Sequence, residues 1–306
     1  MNKLPLSPVL SPNMQIENLP VFNTVIIIIN VNTYISTILA VLSAKKATKH
    51  PIIVIDCSTD ENEIIILSKL SSTIDFYLIK MPLQIHGRTL DLLFRTVNAK
   101  YILLLDSDAE ITDYSFFENK LIDESDTFGI GFIHGPCPMS ENSMRAAKFL
   151  YYQERMYIPC VILKREKIME ALDAGYSFEA KDKYNDFPVS FIARQFYRRF
   201  HFNFFQKYDF PFLKYFRRVY YDFYRPSMIY YDTGAEIYMF LKYKCSYDFI
   251  GLPVKYHNRY FNHYHGITRK VLNPDDPNST DLQSLETVIL DRLRNVYNFN
   301  ISSITN

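Results

Sequence analysis

Tyr101-Ile102-Leu103-Leu104-Leu105-Asp106-Ser107-Asp108 is the stretch that decides the fold. An unbroken apolar run meets a pair of acids, and Ala109-Glu110 follow. Such a run reads as a strand buried on both faces, as in a parallel sheet covered by helices. The acids fall where the strand ends. Carboxylates buried at that place are costly unless something binds them, and a divalent cation carrying a phosphate-bearing ligand is the expected occupant.

The chain before this stretch alternates in the same way. Val25 to Ile29 is entirely β-branched and reads as a second doubly buried strand. From Thr33 to Ala47 the apolar residues Ile35, Ile38, Leu39 and Leu42 have helical spacing, with Lys45 and Lys46 in the last turn. Ile52 to Ile55 reads as a strand, Glu61 to Leu70 as a helix, Phe76 to Ile79 as a strand and Thr89 to Val97 as a helix. Regular alternation implies a mostly parallel sheet with right-handed crossovers. Ligands of such sheets bind at the carboxyl ends of the strands, where Asn32, Asp56 and Asp108 emerge. Any one of these polar residues alone would suit a turn or helix cap. One of Ser58, Thr59 and Asp60 is expected to cap the next helix.

Composition narrows the function classes. At 306 residues the chain holds one large α/β domain, or a domain with a sizeable appendage. A formal charge of +1 gives no global field, so nucleic acid is not the expected partner. Cys57, Cys137, Cys160 and Cys245 show no CxxC spacing, which argues against a zinc site or a disulfide framework and suits a reducing compartment. Met1 to Pro20 carries no apolar core of signal-peptide length, and no run reaches the roughly 18 apolar residues of a membrane span. A cytoplasmic location is expected.

Taken together, Val25-Ile26-Ile27-Ile28-Ile29-Asn30-Val31-Asn32, Ile52-Ile53-Val54-Ile55-Asp56-Cys57-Ser58-Thr59-Asp60 and Leu103-Leu104-Leu105-Asp106-Ser107-Asp108 resemble the family 2 glycosyltransferases of the GT-A fold. Order and spacing match from residue 24 to about residue 110. Cys57 stands where a small polar residue or Gly is often seen. The resemblance implies a GT-A, Rossmann-like α/β domain and a metal-dependent transfer from a nucleoside-diphosphate sugar. It implies that Asp108 holds Mn2+ or Mg2+ against the diphosphate, and that Asp106 contacts the ribose or the metal. Asp56 would bind the base, Asn32 and Ser107 would line the nucleotide pocket, and Arg88 is a candidate phosphate contact, though a solvated surface Arg is as good a reading. Glu110 reads as structural, on a turn into the next segment. His134 to Pro138 would form a turn near the sugar, and the strand from Tyr157 to Arg165, leading into a helix over 166–174, would back the acceptor side.

Two later constellations complete the expected site. In Tyr230-Tyr231-Asp232-Thr233-Gly234-Ala235-Glu236, Asp232 or Thr233 suits the N-cap of a helix running through Lys242. The resemblance places the general base of an inverting transfer here, so Asp232 and Glu236 are both candidates, with position favouring Asp232. His257, His263 and His265 cluster in a chain holding only 7 histidines. On a strand His263 and His265 point the same way, and either suits the metal-completing histidine found in several GT-A enzymes. An imidazole among carboxylates shifts preference from Mg2+ toward Mn2+.

Residues 191–226 interleave arginines with dense Phe and Tyr. They read as an aromatic-rich helical insertion: a membrane-surface patch, an acceptor groove, or equally an ordinary amphipathic insertion or a homodimer interface. The expected organisation is an N-terminal extension over 1–20, a glycosyltransferase domain over 21–270, and a linker with a C-terminal helix over 271–306, that helix being read over Leu282 to Val296. The partners are a nucleotide-sugar donor and a glycan, lipid-linked or protein acceptor. A nucleotidyltransferase is the alternative enzyme, although Val31 to Ser36 lacks the glycines and basic residues of its usual phosphate loop. A non-catalytic carbohydrate-binding protein that keeps the fold is the other alternative.

Overall fold

The computed structural model describes residues 16–118, 126–135, 137–138, 151–184, 228–264, 266–272 and 282–301. The 191–226 segment, residues 273–281 of the linker and His265 lie outside the described residues. The first half runs β1 (Phe22–Asn30), α1 (Tyr34–Ala47), β2 (Ile52–Asp56), α2 (Glu61–Ile74), β3 (Tyr77–Lys80), α3 (His86–Thr96), β4 (Ala99–Asp106), β5 (Ala109–Ile111) and α4 (Ser115–Glu118). Then come β6 (Thr127–His134), β7 (Cys137–Pro138), β8 (Tyr151–Tyr152), β9 (Arg155–Lys164), α5 (Arg165–Asp173) and β10 (Lys181–Tyr184). The chain closes with β11 (Met228–Tyr231), α6 (Ala235–Met239), β12 (Asp248–Pro253), β13 (Phe261–His263), α7 (Ile267–Leu272) and α8 (Leu282–Tyr297).

Among the described residues the main sheet has the order β12-β6-β9-β4-β1-β2-β3. Only β9 runs against its neighbours, pairing antiparallel with both β4 and β6. The sheet is therefore mostly parallel and flanked by helices, as the alternating apolar runs imply. Each run divides its side chains between two cores. Ile26 and Ile28 join Leu103 and Leu105 on one face, while Val25 and Ile27 join Ile102 and Leu104 on the other. Helices α1 and α2 cover the first face, and α3 and α5 cover the second. Each fully buried Ile or Leu stabilises the fold by about 1.5–3 kcal/mol. Helix α8 lays Ile289 and Leu293 into the first core, while Val288 is exposed.

Local signals explain the helix ends. Asp60 caps α2, its side chain accepting the Asn62 N–H at 2.9 Å, with Glu61 and Glu63 in the positive first turn. Two sequence expectations are corrected. Neither Asp232 nor Thr233 caps the following helix: the cap is Gly234, at φ 76°. A Cβ there would lie 2.8 Å from the Met156 side chain, so glycine meets both the backbone and the packing demand. That helix also ends at Met239, and a wider π-type turn continues it over Phe240–Lys244. The second correction is Glu110, which stands within strand β5 and not on a turn.

Candidate metal and nucleotide site

Parallel register delivers the first residues of the site. Asn30 is level with Asp56 across β1 and β2, and Ile29 is level with Asp106 across β1 and β4. The chain then turns through Ser107 and Asp108 into β5, which pairs antiparallel with β13 so that His263 faces Ala109. The Tyr264 N–H donates to the Asp108 carbonyl at 2.8 Å and locks that register. A residue 155 positions later in the chain is thereby brought to the acid pair. His263 Nε2 lies 3.1 Å from Asp108 Oδ1 and 3.8 Å from Asp106 Oδ2.

One ligand atom from each of Asp106, Asp108 and His263 lies within 4.8 Å of the other two, so the group is able to hold a metal ion. The electrostatics point the same way. Burial raises the Asp106 carboxyl above its ordinary range and the charge of Asp108 adds to that, opposed by His263 and His86. Burial alone would lower the His263 imidazole, but the hydrogen bond to Asp108 and the charges of both acids raise it. Two carboxylates held this close, one of them buried and the other partly so, favour a cation between them. Two carboxylate oxygens and one imidazole nitrogen form a donor set for a divalent cation.

Asp56 forms the other half of the site. Its Oδ1 accepts from Asn30 Nδ2 at 2.9 Å and from the Ser58 N–H at 3.1 Å. Its Oδ2 is buried and has no hydrogen-bond partner among the described residues. A buried carboxylate oxygen without a donor is costly, so this oxygen has capacity left for an N–H donor. Asn30 is itself held as the acceptor of Thr37 Oγ1 at 2.7 Å and Thr33 Oγ1 at 2.9 Å. Asn32, in the left-handed region at φ 52°, ties the β1–α1 and β2–α2 loops together. Its Oδ1 accepts the Thr59 and Asp60 N–H groups, and its Nδ2 donates to Thr59 Oγ1. Its side chain is thus a clasp between loops, while Ser107, buried below them, meets Thr33 Oγ1 at 3.3 Å.

Beneath this corner Glu63 accepts the Tyr34 N–H at 3.0 Å. Burial pushes its carboxyl up to about 7, against the hydrogen bonds from Tyr34 and Asn30 and with help from the charges of Asp56 and Asp60. A folded value above the ordinary 4.5 means that ionised Glu63 costs stability, a cost absent at acid pH and complete once pH passes about 7. Glu63→Gln keeps the acceptor for Tyr34. It is expected to stabilise the protein by about 2 kcal/mol near pH 8 and to change nothing near pH 4, as read by urea unfolding at both values.

The candidate bases are held apart by different cations. Asp232 Oδ2 lies 3.2 Å from Arg155 Nε, and its side chain is 39% exposed. Glu236, 4% exposed, pairs with Lys181. Arg155 and Tyr157 are two residues apart on β9 and share a face, about 7 Å from one another. The Tyr157 hydroxyl in turn lies 2.7 Å from His263 Nδ1. Asp232 is therefore linked to the metal corner along one face of β9. Arg88 sits in the exposed first turn of α3, its Nε 3.0 Å from Glu179 Oε2.

Sequence reasoning missed Asn30, Tyr157, Arg155 and the part played by Glu110. An Asn ending an otherwise apolar strand was a legible signal for the first. For the others no local signal exists, because each acts across a long stretch of chain. Glu110 is wholly buried and gathers four partners. Asn262 Nδ2 donates to it at 3.1 Å, and the Tyr264 and Tyr297 hydroxyls each donate at 2.7 Å. Arg292 Nε lies 3.1 Å from one of its oxygens and 3.2 Å from the other. Asn262 and Tyr264 flank His263, so the clamp fixes the strand that carries the histidine.

No protein-family model matches the sequence, and no curated protein does. Among solved structures the chain is similar to TarS (1–349) of S. aureus in complex with UDP-GlcNAc, at 17% identity and TM-score 0.33, over 49% of this chain and 47% of that one. It is similar to glucosyl-3-phosphoglycerate synthase of Mycobacterium tuberculosis in complex with Mn2+, UDP and glucosyl-3-phosphoglycerate, at 11% identity and TM-score 0.33, over 48% and 58%. It is also similar to the apo form of the glycosyltransferase GlyE of Streptococcus pneumoniae, at 12% identity and TM-score 0.38, over 94% and 63%. In each case the match spans less than two thirds of the other chain.

Proposed function

We propose that this chain is a metal-dependent, inverting glycosyltransferase of GT-A type that moves a sugar from a nucleoside-diphosphate sugar to an acceptor hydroxyl. The observation that carries the reading is the Asp106–Asp108–His263 group beside Asp56, whose inner oxygen is buried without a partner among the described residues. A cation corner and a waiting acceptor for a base N–H, side by side at the carboxyl edge of a parallel sheet, suit a nucleotide diphosphate. Asp106, Asp108 and His263 would hold Mn2+ or Mg2+, with the imidazole favouring Mn2+. When bound, the metal supplies charge compensation for the departing diphosphate.

The chain's own residues then divide the work. Asp56 orients the base through Oδ2, while Asn32 and Ser107 shape the loops around the nucleotide. Arg88 reaches a phosphate only by leaving Glu179. Asp232 takes the proton from the attacking hydroxyl, with Arg155 fixing the direction of its carboxylate, and Glu236 supports the helix start beside it. A glycan, lipid-linked or protein acceptor would enter from the side of Asp232. No described helix is long and apolar enough to cross a membrane.

A thermal-shift panel of nucleoside diphosphates and their sugars, with and without Mn2+, tests this. One nucleotide is expected to raise the melting temperature by several degrees only when Mn2+ is present, since saturation near 100 times Kd stabilises by about 2.7 kcal/mol. Asp108→Ala is expected to abolish that shift. A panel in which nothing shifts the wild-type protein overturns the reading.

A further inference from the structure

The contact behind the metal corner carries an inference of its own, resting on the metal-site reading above. His263 has two ring nitrogens with separate partners. Nε2 faces Asp108 at 3.1 Å and Asp106 at 3.8 Å, while Nδ1 lies 2.7 Å from the Tyr157 hydroxyl. The phenol is held firmly. Its ring packs edge-on against His134, His257 and His263 and tilted against Phe261. We propose that Tyr157 is the positioning residue of the metal site, its hydroxyl holding the His263 ring so that Nε2 faces Asp106 and Asp108 whichever ring nitrogen carries the proton.

The logic is one of donors and acceptors. A phenol both donates and accepts. Without metal, an Nε2–H can donate to Asp108 while Tyr157 donates to Nδ1. With metal at Nε2, the remaining ring proton sits on Nδ1 and Tyr157 accepts it. The same contact therefore serves both states with no movement of the ring, and the imidazole meets the cation already oriented. Outer partners of ligating histidines commonly contribute 10–100-fold in metal affinity by this means.

Tyr157→Phe removes the hydroxyl and keeps the ring packing. Titration of Mn2+ and Mg2+ into the otherwise intact protein, followed by calorimetry, is expected to show Mn2+ affinity falling by about 10–100-fold. Mg2+ affinity should fall by less, because the carboxylates carry more of its binding. A merely structural role would weaken both metals alike, so an unchanged Mn2+/Mg2+ ratio overturns the proposal, as does unchanged Mn2+ affinity. Asp108→Ala and His263→Ala separate this from the reading beneath it. If both bind Mn2+ as the wild type does, the metal site itself is wrong; if both lose Mn2+ while Tyr157→Phe does not, only the role of Tyr157 fails. Should Tyr157→Phe not fold, 15N spectra of histidine-labelled wild type loaded with diamagnetic Zn2+ decide. The proton is expected on Nδ1 of His263, and ligation through Nδ1 with the proton on Nε2 overturns the proposal.

Discussion

Arg292→Ala is expected to destabilise the protein by about 3–4 kcal/mol at neutral pH, although Arg292 lies in the last helix and far along the chain from the candidate site. The reason is the carboxylate it serves. Glu110 is wholly buried, and burial alone would raise its pKa; the bonds from Arg292, Tyr297, Tyr264 and Asn262 more than reverse that and hold it below the ordinary range. Removing the one cation among these partners strands a buried charge, which costs far more than an exposed ion pair contributes. Three neutral donors remain, and Arg292 is itself 35% exposed, which sets the effect at the lower end for a buried pair. A carboxyl whose folded pKa lies below its unfolded value gives stability that is full above the unfolded value and lost as pH falls through the folded one. The deficit of Arg292→Ala should therefore shrink in acid, as Glu110 takes up a proton. Chemical denaturation across pH measures both effects. The double variant Glu110→Gln, Arg292→Leu leaves no stranded charge, so it should unfold later than Arg292→Ala. If it unfolds earlier, the account of the clamp is wrong.

The contrast between Asp56 and Glu110 shows which parts of the molecule were legible in the sequence. Asp56 ends an apolar run, and the run fixes its strand, its depth and the sheet edge where it emerges. The same holds for Asp106 and Asp108. Parallel βαβ units are local enough for hydrophobic period and strand ends to determine them. The helix read over Thr89 to Val97 begins earlier, at His86, because no polar cap marks its start and Ile85 provides only backbone. Glu110 stands among polar neighbours and gives no sign that Arg292 and Tyr297 will close on it. His263 could be suspected from composition. Its pairing with Asp108 depends on an antiparallel register between strands 152 residues apart, which no periodicity encodes. Tyr157 began a strand in the sequence reading, and only the fold shows that its hydroxyl reaches His263. Contacts of long sequence separation are set by the packed whole, and the second layer of this site consists of them.

Asp232→Asn is expected to lower turnover by about 100- to 10,000-fold while leaving nucleotide-donor affinity nearly unchanged, the signature of losing a general base and not a binding group. The alternative base, Glu236, differs in two respects that chemistry can use. It is almost wholly buried and is closed off by Lys181, whereas Asp232 keeps 39% of its side chain open, with Arg155 at Oδ2 and the Thr233 N–H at Oδ1 fixing its direction. A base must touch the acceptor hydroxyl, so an accessible carboxylate is the better candidate on geometry alone. Position agrees: Arg155, which holds Asp232, shares its face of β9 with Tyr157, which holds His263. Acceptor and donor would thus be aligned by one strand. Glu236→Gln, by contrast, leaves Lys181 beside a neutral amide and should act on stability, with turnover of the folded fraction within about threefold of wild type. Steady-state rates and direct donor binding for the two variants separate the cases. If Glu236→Gln loses turnover with its stability intact while Asp232→Asn keeps it, the roles are reversed, and the proton leaves through the buried carboxylate.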